Sequence, residues 1–397
     1  MTQDPKTSLT MNRRFLLGAS AAGVSLAFAG RTAAQATSAA KMVVIIARGA
    51  MDGLSVTVPY GDPNYVALRG PLAIASAGEP NGALALNEGF GLHPALAGLH
   101  ALHGQGQLRF APAVAIPVRV RSHFDAQDVL ENGGEGLRQQ TDGWLNRALA
   151  AGGARTYTGL SIGPQTPLIL RGEAPTSSWA PGGVVEGGDR IASLLQDLYV
   201  EDPLLGVNLA RGLETEGMAM AAGDGTQVRR NDVSGLGQAI ARLMTGPSGA
   251  NMVALSVDGW DTHARQLGQL QARLTGLDQV VSGLRTGLGD DWDDTVVIIA
   301  TEFGRTARIN GTQGTDHGTG SSLLLAGGAL KPGGMIGDWP TLADNRLFEG
   351  RDLTPSLDVR SVFKGVLRDH MGIDAAALDT RVFPGSGVEA PATSGLV

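Results

Sequence analysis

Met42-Val43-Val44-Ile45-Ile46-Ala47 is six apolar residues in a row, four of them β-branched. A strand with one wet face alternates apolar and polar residues. An unbroken run predicts a strand covered on both faces, as in a parallel sheet flanked by helices. Similar runs recur at Leu108 to Ile116, Met252 to Val257, Thr295 to Thr301 and Ser322 to Ala326. Between the third and fourth runs, Leu267, Leu270, Leu274, Leu277, Val281, Leu284 and Leu288 step by three and four, the period of an amphipathic helix. Strand, helix, strand in that order predicts a parallel crossover unit. Leu92, Leu96, Leu99 and Leu102 predict a helix before the Leu108 strand, and Asp358 to Met371 predicts another near the end. The fold class that follows is α/β, a doubly wound, mostly parallel sheet in one domain spanning 37–397. Gly152 to Gly188 contains Pro164, Pro167, Pro175 and Pro181 and is expected to form loops or short strands inserted in that fold.

Composition agrees with a large folded domain. The chain has 397 residues, 43% hydrophobic and 17% charged, which excludes a disordered tail, a coiled coil and a nucleic-acid arm. Net charge is −7. Residues 1–36 carry Lys6, Arg13, Arg14 and Arg31 against Asp4, so the remainder is more acidic still, which argues against nucleic acid as a partner. Cysteine is absent, so disulfides, thiolate metal sites and a cysteine nucleophile are excluded. Any metal must be held by His, Asp, Glu or backbone.

The first 36 residues predict an export signal. Arg13-Arg14 is followed by Phe15-Leu16 and a weakly apolar stretch rich in Ala and Gly from Gly18 to Gly30, the pattern of a twin-arginine signal. Ala34-Gln35-Ala36 suits small-x-small cleavage before Thr37. The apolar stretch falls short of the ~20 residues that span a bilayer, and no other run in the mature chain could do so. The expected location is the periplasm or outside the cell, reached in the folded state.

Ligands of parallel α/β sheets bind beyond the carboxyl ends of the strands, so the residues following each run carry the functional reading. They are Arg48-Gly-Ala-Met-Asp52-Gly, Arg121-Ser122-His123-Phe124-Asp125-Ala-Gln127, Asp258-Gly-Trp-Asp261-Thr-His263, Glu302-Phe303-Gly304-Arg305 and Asp316-His317-Gly318. Carboxylates and imidazoles at one rim are the donors of hard or borderline divalent ions. Turns and helix caps explain any one of these residues, but caps have no need of three histidines. His93, His100 and His103 fall on the helix before the second strand, facing the surface or a groove. Trp144, Trp179 and Trp260 read as core or loop anchors. No Gly-x-Ser-x-Gly elbow is present, which argues against an α/β-hydrolase triad.

Taken together, these blocks resemble the bacterial domain of unknown function 1501 family, from the twin-arginine start through Arg48-Gly-x-x-Asp52-Gly and the later motifs to Leu353-Thr-Pro. The resemblance implies an alkaline phosphatase-like α/β/α sandwich with sulfatase relatives. It implies metal donors at Asp52, Asp261, His263, Glu302 and His317, holding zinc, calcium or magnesium. Ser122 matches the hydroxyl nucleophile at a helix N-terminus, with His123 beside it and Arg305 or Arg121 binding the substrate anion. Glu302-Phe303 stands where the superfamily often has Asp-His, which removes one donor and leaves a single metal or none as alternatives. Two functions follow: a metal-dependent hydrolase of small anionic phosphate or sulfate esters, or a non-catalytic exported binding or assembly protein on the same fold.

Overall fold

The computed structural model describes residues 40–152, 157–163, 165–181, 233–245 and 249–397, with isolated positions between 195 and 217. The twin arginine and the cleavage site lie outside the described residues, as do 153–156, 164 and 182–188 of the loop-rich stretch. Eleven strands are named in chain order: β1 (Lys41–Arg48), β2 (Thr57–Val58), β3 (Leu84–Ala85), β4 (Gly91–Leu92), β5 (Leu108–Ala115), β6 (Gly159–Ile162), β7 (Thr176–Trp179), β8 (Met252–Asp258), β9 (Thr295–Ala300), β10 (Ser321–Ala326) and β11 (Leu357–Asp358). Eight of them form one sheet in the order β11-β5-β10-β9-β1-β8-β6-β7, and β2, β4 and β3 form a small antiparallel one.

β1 lies inside the large sheet, parallel to β9 on one side and β8 on the other. Residues 42–47 are almost completely buried, and their alternation splits them between two cores. Met42, Val44 and Ile46 pack with residues of the helices His123–Asn132, Trp144–Ala151 and Val359–Asp369. Val43, Ile45 and Ala47 pack with Ala97–His103, Val233–Thr245 and Gln266–Leu288 on the other face. This is why the run is unbroken: each side chain enters an apolar layer whichever way it points. The Gln266–Leu288 helix leads from β8 to β9, and its crossover passes over β1, which lies between them.

β10 runs antiparallel to both neighbours, β5 and β9, so every other strand of the large sheet points one way. The reversal brings the start of β10, and with it Asp316 to Gly320, to the rim where the parallel strands end. β6 and β7, from the proline-rich stretch, extend the sheet beside β8.

Three expectations are corrected. The helix expected from Leu92 begins only at Ala97, because Leu92 pairs in the small sheet and Pro94 disfavours helix in the residue before it. His93 therefore sits off that helix and is buried rather than facing the surface. Leu267 is 53% exposed while Gln266 is buried, so the buried stripe of the long helix starts one residue earlier than the leucine period suggests.

His93 Nδ1 accepts a hydrogen bond from Ala95 N. Burial pushes the His93 pKa down to about 4, against a smaller upward pull from Asp52. The imidazole is thus neutral in the folded state, while the unfolded chain takes up a proton below its ordinary value near 6.5. Folding stability should fall as pH drops from about 6.5 to 4, with roughly 3 kcal/mol of that loss due to His93. His93→Asn keeps an acceptor for Ala95 N and cannot titrate. Urea midpoints taken across this range should show a shallower acid decline in the variant; parallel declines would assign the loss to other groups.

Candidate metal centre

Glu302 follows β9 after Thr301 and is buried. Its Oε1 accepts from Gly49 N at 2.8 Å and from Gln127 Nε2 at 3.0 Å, and lies 2.8 Å from His123 Nδ1. Thr301 Oγ1 donates to Oε2 at 2.9 Å. Burial alone would raise the pKa of this carboxyl, but the donors, His123 first, outweigh it and hold Glu302 below the usual range. An ionised carboxylate only accepts, so the proton of that contact sits on His123 Nδ1. His317 Nδ1 lies 2.8 Å from the carbonyl of Arg121, which can only accept. His263 Nδ1 lies 3.2 Å from Asp316 Oδ1, whose pKa is lowered by Asn310 first and also by His263.

With each Nδ1 acting as donor, the neutral form of each ring presents a bare Nε2 lone pair. The Nε2 of His317 meets the other two. His317 Nε2 lies 3.0 Å from both His123 Nε2 and His263 Nε2. Asp261 Oδ1 joins them at 3.0 Å from His263, 3.1 Å from His317 and 3.5 Å from His123. Lone pairs facing at such distances repel unless a proton or a cation lies among them. Ligands at 2.0–2.2 Å around a tetrahedral zinc stand about 3.3 Å apart, so His123, His317 and Asp261 suit such an ion in donor type and spacing, with His263 at the edge of the group beside His317 and Asp261. The Asp261 and His263 side chains are 43% and 45% exposed, so one side of the group opens to solvent.

Local structure explains the placement. His123 is the first residue of the helix His123–Asn132, and Ser122 is its N-cap, with Oγ 3.5 Å from Asp125 N. The same helix carries Gln127 and Glu131 one and two turns on. Phe303 packs against His123 at 5.0 Å between ring centroids and against His317 at 5.2 Å. It supplies no donor but braces two that do. Gly304 has no room for a side chain, since a Cβ there would stand 1.7 Å from the carbonyl oxygen of Gly320. That close approach holds the Glu302 loop against the Asp316–Gly320 segment.

Of the residues picked out from sequence, Asp261, His263 and His317 meet in this group. His123, expected beside a nucleophile, stands among the donors, and Glu302 grips the far side of the His123 ring. Asp52 is turned elsewhere: its Oδ2 accepts from Ser55 Oγ, Gln266 Nε2 and Arg69 Nη2. Arg305 is buried, with Nη1 on Asp261 at 2.7 Å, Nε on Thr315 Oγ1 at 3.2 Å and Nη2 on the Thr315 carbonyl. Arg121 pairs with Asp352 and Glu349. Both arginines expected to bind an anion thus hold carboxylates of the protein. Glu131, absent from the motifs read from the sequence, joins Arg48 and Gln127 here, and its helical spacing from His123 and Gln127 is the signal that points to it. Arg48 Nη1 donates to Gln127 at 2.9 Å, its Nε to Ser256 at 2.9 Å, and its Nη2 to Glu131. These residues line a cleft of about 490 Å³ with Arg171 and with Phe124, whose ring is 87% exposed.

Residues 39–382 match a family described as a protein of unknown function (DUF1501). The chain belongs to that family. Among curated proteins none matches. Similar solved structures include the zinc complex of the C-terminal periplasmic domain of EcEptC from Escherichia coli, at 10% identity over 88% of each chain and a TM-score of 0.40. A magnesium-bound mutant of the TAB5 alkaline phosphatase is 11% identical over 74% of this chain and 93% of that one, at 0.37. A protein in the alkaline phosphatase superfamily from Vibrio parahaemolyticus is 12% identical over 77% and 64%, at 0.36. Among the described residues, no helix of this family member is long and apolar enough to cross a membrane.

The Glu302 hydrogen bond is the largest influence on His123 and raises its pKa above the ordinary histidine value, against the downward pull of partial burial. Glu302→Gln removes that charge. In metal-free protein, an NMR titration of His123 should move to lower pH in the variant; an unmoved titration would detach the ring from Glu302.

Proposed function

We propose that this is an exported, metal-dependent hydrolase of small phosphate or sulfate esters, with one divalent ion held by His123, His263, His317 and Asp261. The observation that carries the reading is the convergence of three Nε2 lone pairs on Asp261 Oδ1, each ring held by an acceptor at its Nδ1. Zinc suits the three imidazoles better than magnesium or calcium. When bound, such an ion would supply Lewis-acid polarisation of a phosphoryl or sulfuryl oxygen. The protein's own part is to hold the donors, through Glu302, Asp316 and Arg305, and to present the exposed Ser122 hydroxyl at the head of the His123–Asn132 helix, where main-chain amides favour an anion. Attack by Ser122 Oγ would form a serine ester and release the alcohol, and water would then clear the serine. The cleft beside Arg48 and Phe124 would take the rest of the substrate.

One observation favours the second reading, an exported binding or assembly protein with a structural ion. The nearby Arg305 and Arg121 are spent on carboxylates, which leaves neither to bind a substrate anion. Metal analysis of protein purified from the periplasm, with turnover of aryl phosphates and sulfates, separates the two. Bound zinc with turnover supports the hydrolase. Zinc without turnover supports the binding protein, and no zinc at neutral pH removes the ion from both. Replacing His263 and His317 by Ala should empty the centre.

Ser122→Ala should abolish ester turnover while metal content and fold persist, if Ser122 is the nucleophile. If Ser122 only caps its helix, the loss is about 1 kcal/mol of stability with turnover near wild type, and the attack passes to water.

Export is proposed through the twin-arginine route. Arg13→Lys with Arg14→Lys should leave precursor in the cytoplasm; mature protein reaching the periplasm at the normal rate would exclude that route.

A further inference from the structure

A buried chain of hydrogen bonds runs from Asp52 to the metal centre, and every link has a fixed donor and acceptor. Asp52 Oδ2 accepts from Gln266 Nε2, which settles the way the Gln266 amide faces. Its Oε1 must then accept, and it takes the hydroxyls of Thr262 at 3.0 Å and Thr315 at 2.7 Å. The Thr315 hydroxyl has one proton and has given it to Gln266, so its lone pairs face Arg305 Nε at 3.2 Å. The Thr315 carbonyl takes Arg305 Nη2. Arg305 Nη1, on the same rigid fork, donates to Asp261 Oδ1 at 2.7 Å. Asp52, Gln266, Thr262, Thr315 and Arg305 are all buried, so no water competes along the way.

We propose that Gln266 and Thr315 are positioning residues for Asp261, acting through Arg305. The inference rests on the reading of His123, His263, His317 and Asp261 as metal donors. A planar guanidinium presents its N–H groups at fixed angles, so gripping Nε and Nη2 at Thr315 aims Nη1. Asp261 is the exposed donor of the four that has no ring to brace it, and Arg305 fixes which of its oxygens meets the imidazoles. Asp52 in turn orients Gln266, and Arg69 holds Asp52. This gives Asp52 a part in the centre at a distance, without donating to the ion.

Thr315→Val is nearly isosteric and deletes the hydroxyl that joins Gln266 to Arg305, while keeping the main-chain carbonyl on Nη2. Thr315→Ser keeps the hydroxyl. Full-length mature protein freed of metal is titrated with Co²⁺, whose visible bands report the donor set, and urea midpoints are measured on the same samples. The expected result is a roughly tenfold or greater loss of Co²⁺ affinity with altered bands in Thr315→Val, and wild-type affinity and bands in Thr315→Ser, in line with the cost of losing a group that orients a ligand. Thr315→Val with wild-type affinity and bands, whatever its stability, overturns the positioning role. A loss of equal size in Thr315→Ser overturns it too, because the hydroxyl would then not be the cause. Wild-type protein that takes up no Co²⁺ is a different failure: it overturns the metal centre itself and this inference with it.

Discussion

Glu302 is a carboxylate with no access to water, and the rim of the sheet is organised around keeping it charged. Removing a carboxylate from water costs several kcal/mol unless hydrogen bonds replace the solvent. Here the replacements come from three places: Gly49 after β1, Thr301 beside Glu302 itself, and His123 with Gln127 from the helix beyond β5. One group thus ties the ends of two neighbouring parallel strands to a helix contributed by a strand two places away. Because Gln127 also accepts from Arg48, the tie continues into the cleft. His123 is aimed at His317 because Glu302 holds the opposite nitrogen of its ring.

Much of this was legible in the sequence. The β-branched run at 42–47 announced a strand between two apolar layers, and the leucine stripe from 270 to 288 announced the helix that crosses over it. The order of strands was not legible. β10 reads as another buried run, and its antiparallel direction depends on the long connection over 301–320, through Gly304 and Gly318, that periodicity does not record. That reversal is also what delivers His317 to the rim, so the completeness of the donor group depends on the least readable feature of the fold.

The site residues divide in the same way. Asp261 and His263 are separated by Thr262 alone, and both reach the centre from a single turn after β8. His123 and His317 are 194 residues apart, and their meeting needs the whole topology. Asp52 follows β1 as an Asp-Gly turn, which looks alike whether the carboxylate points into the rim or back into the core. A buried cation decides the matter, since Arg69 arrives from a helical turn seventeen residues on and would be left unpaired without it. Phe303, read from sequence as a missing donor, acts by shape instead: a flat apolar wall is what lets two imidazoles stand close without competing hydrogen bonds.

Charge accounts for the rest of the arrangement. Asp261, Glu302 and Asp316 surround the three rings, and among the described residues Arg305 is the guanidinium bonded to one of them. The carboxylates around the rings outnumber the guanidiniums, even with Arg351 acting on Asp316 from a distance. The Glu302 hydrogen bond first, and the charge of Asp261 after it, raise the pKa of His123. A proton can sit between only one pair of the converging nitrogens at a time, and it leaves the remaining lone pairs opposed. A divalent cation would accept several of them at once and offset the negative charge. The inward-turned Arg305 fits the same account: a substrate anion would draw it away from Asp261 and unbalance the centre, so burying it among Thr315 and Asp261 keeps its charge where the carboxylates need it.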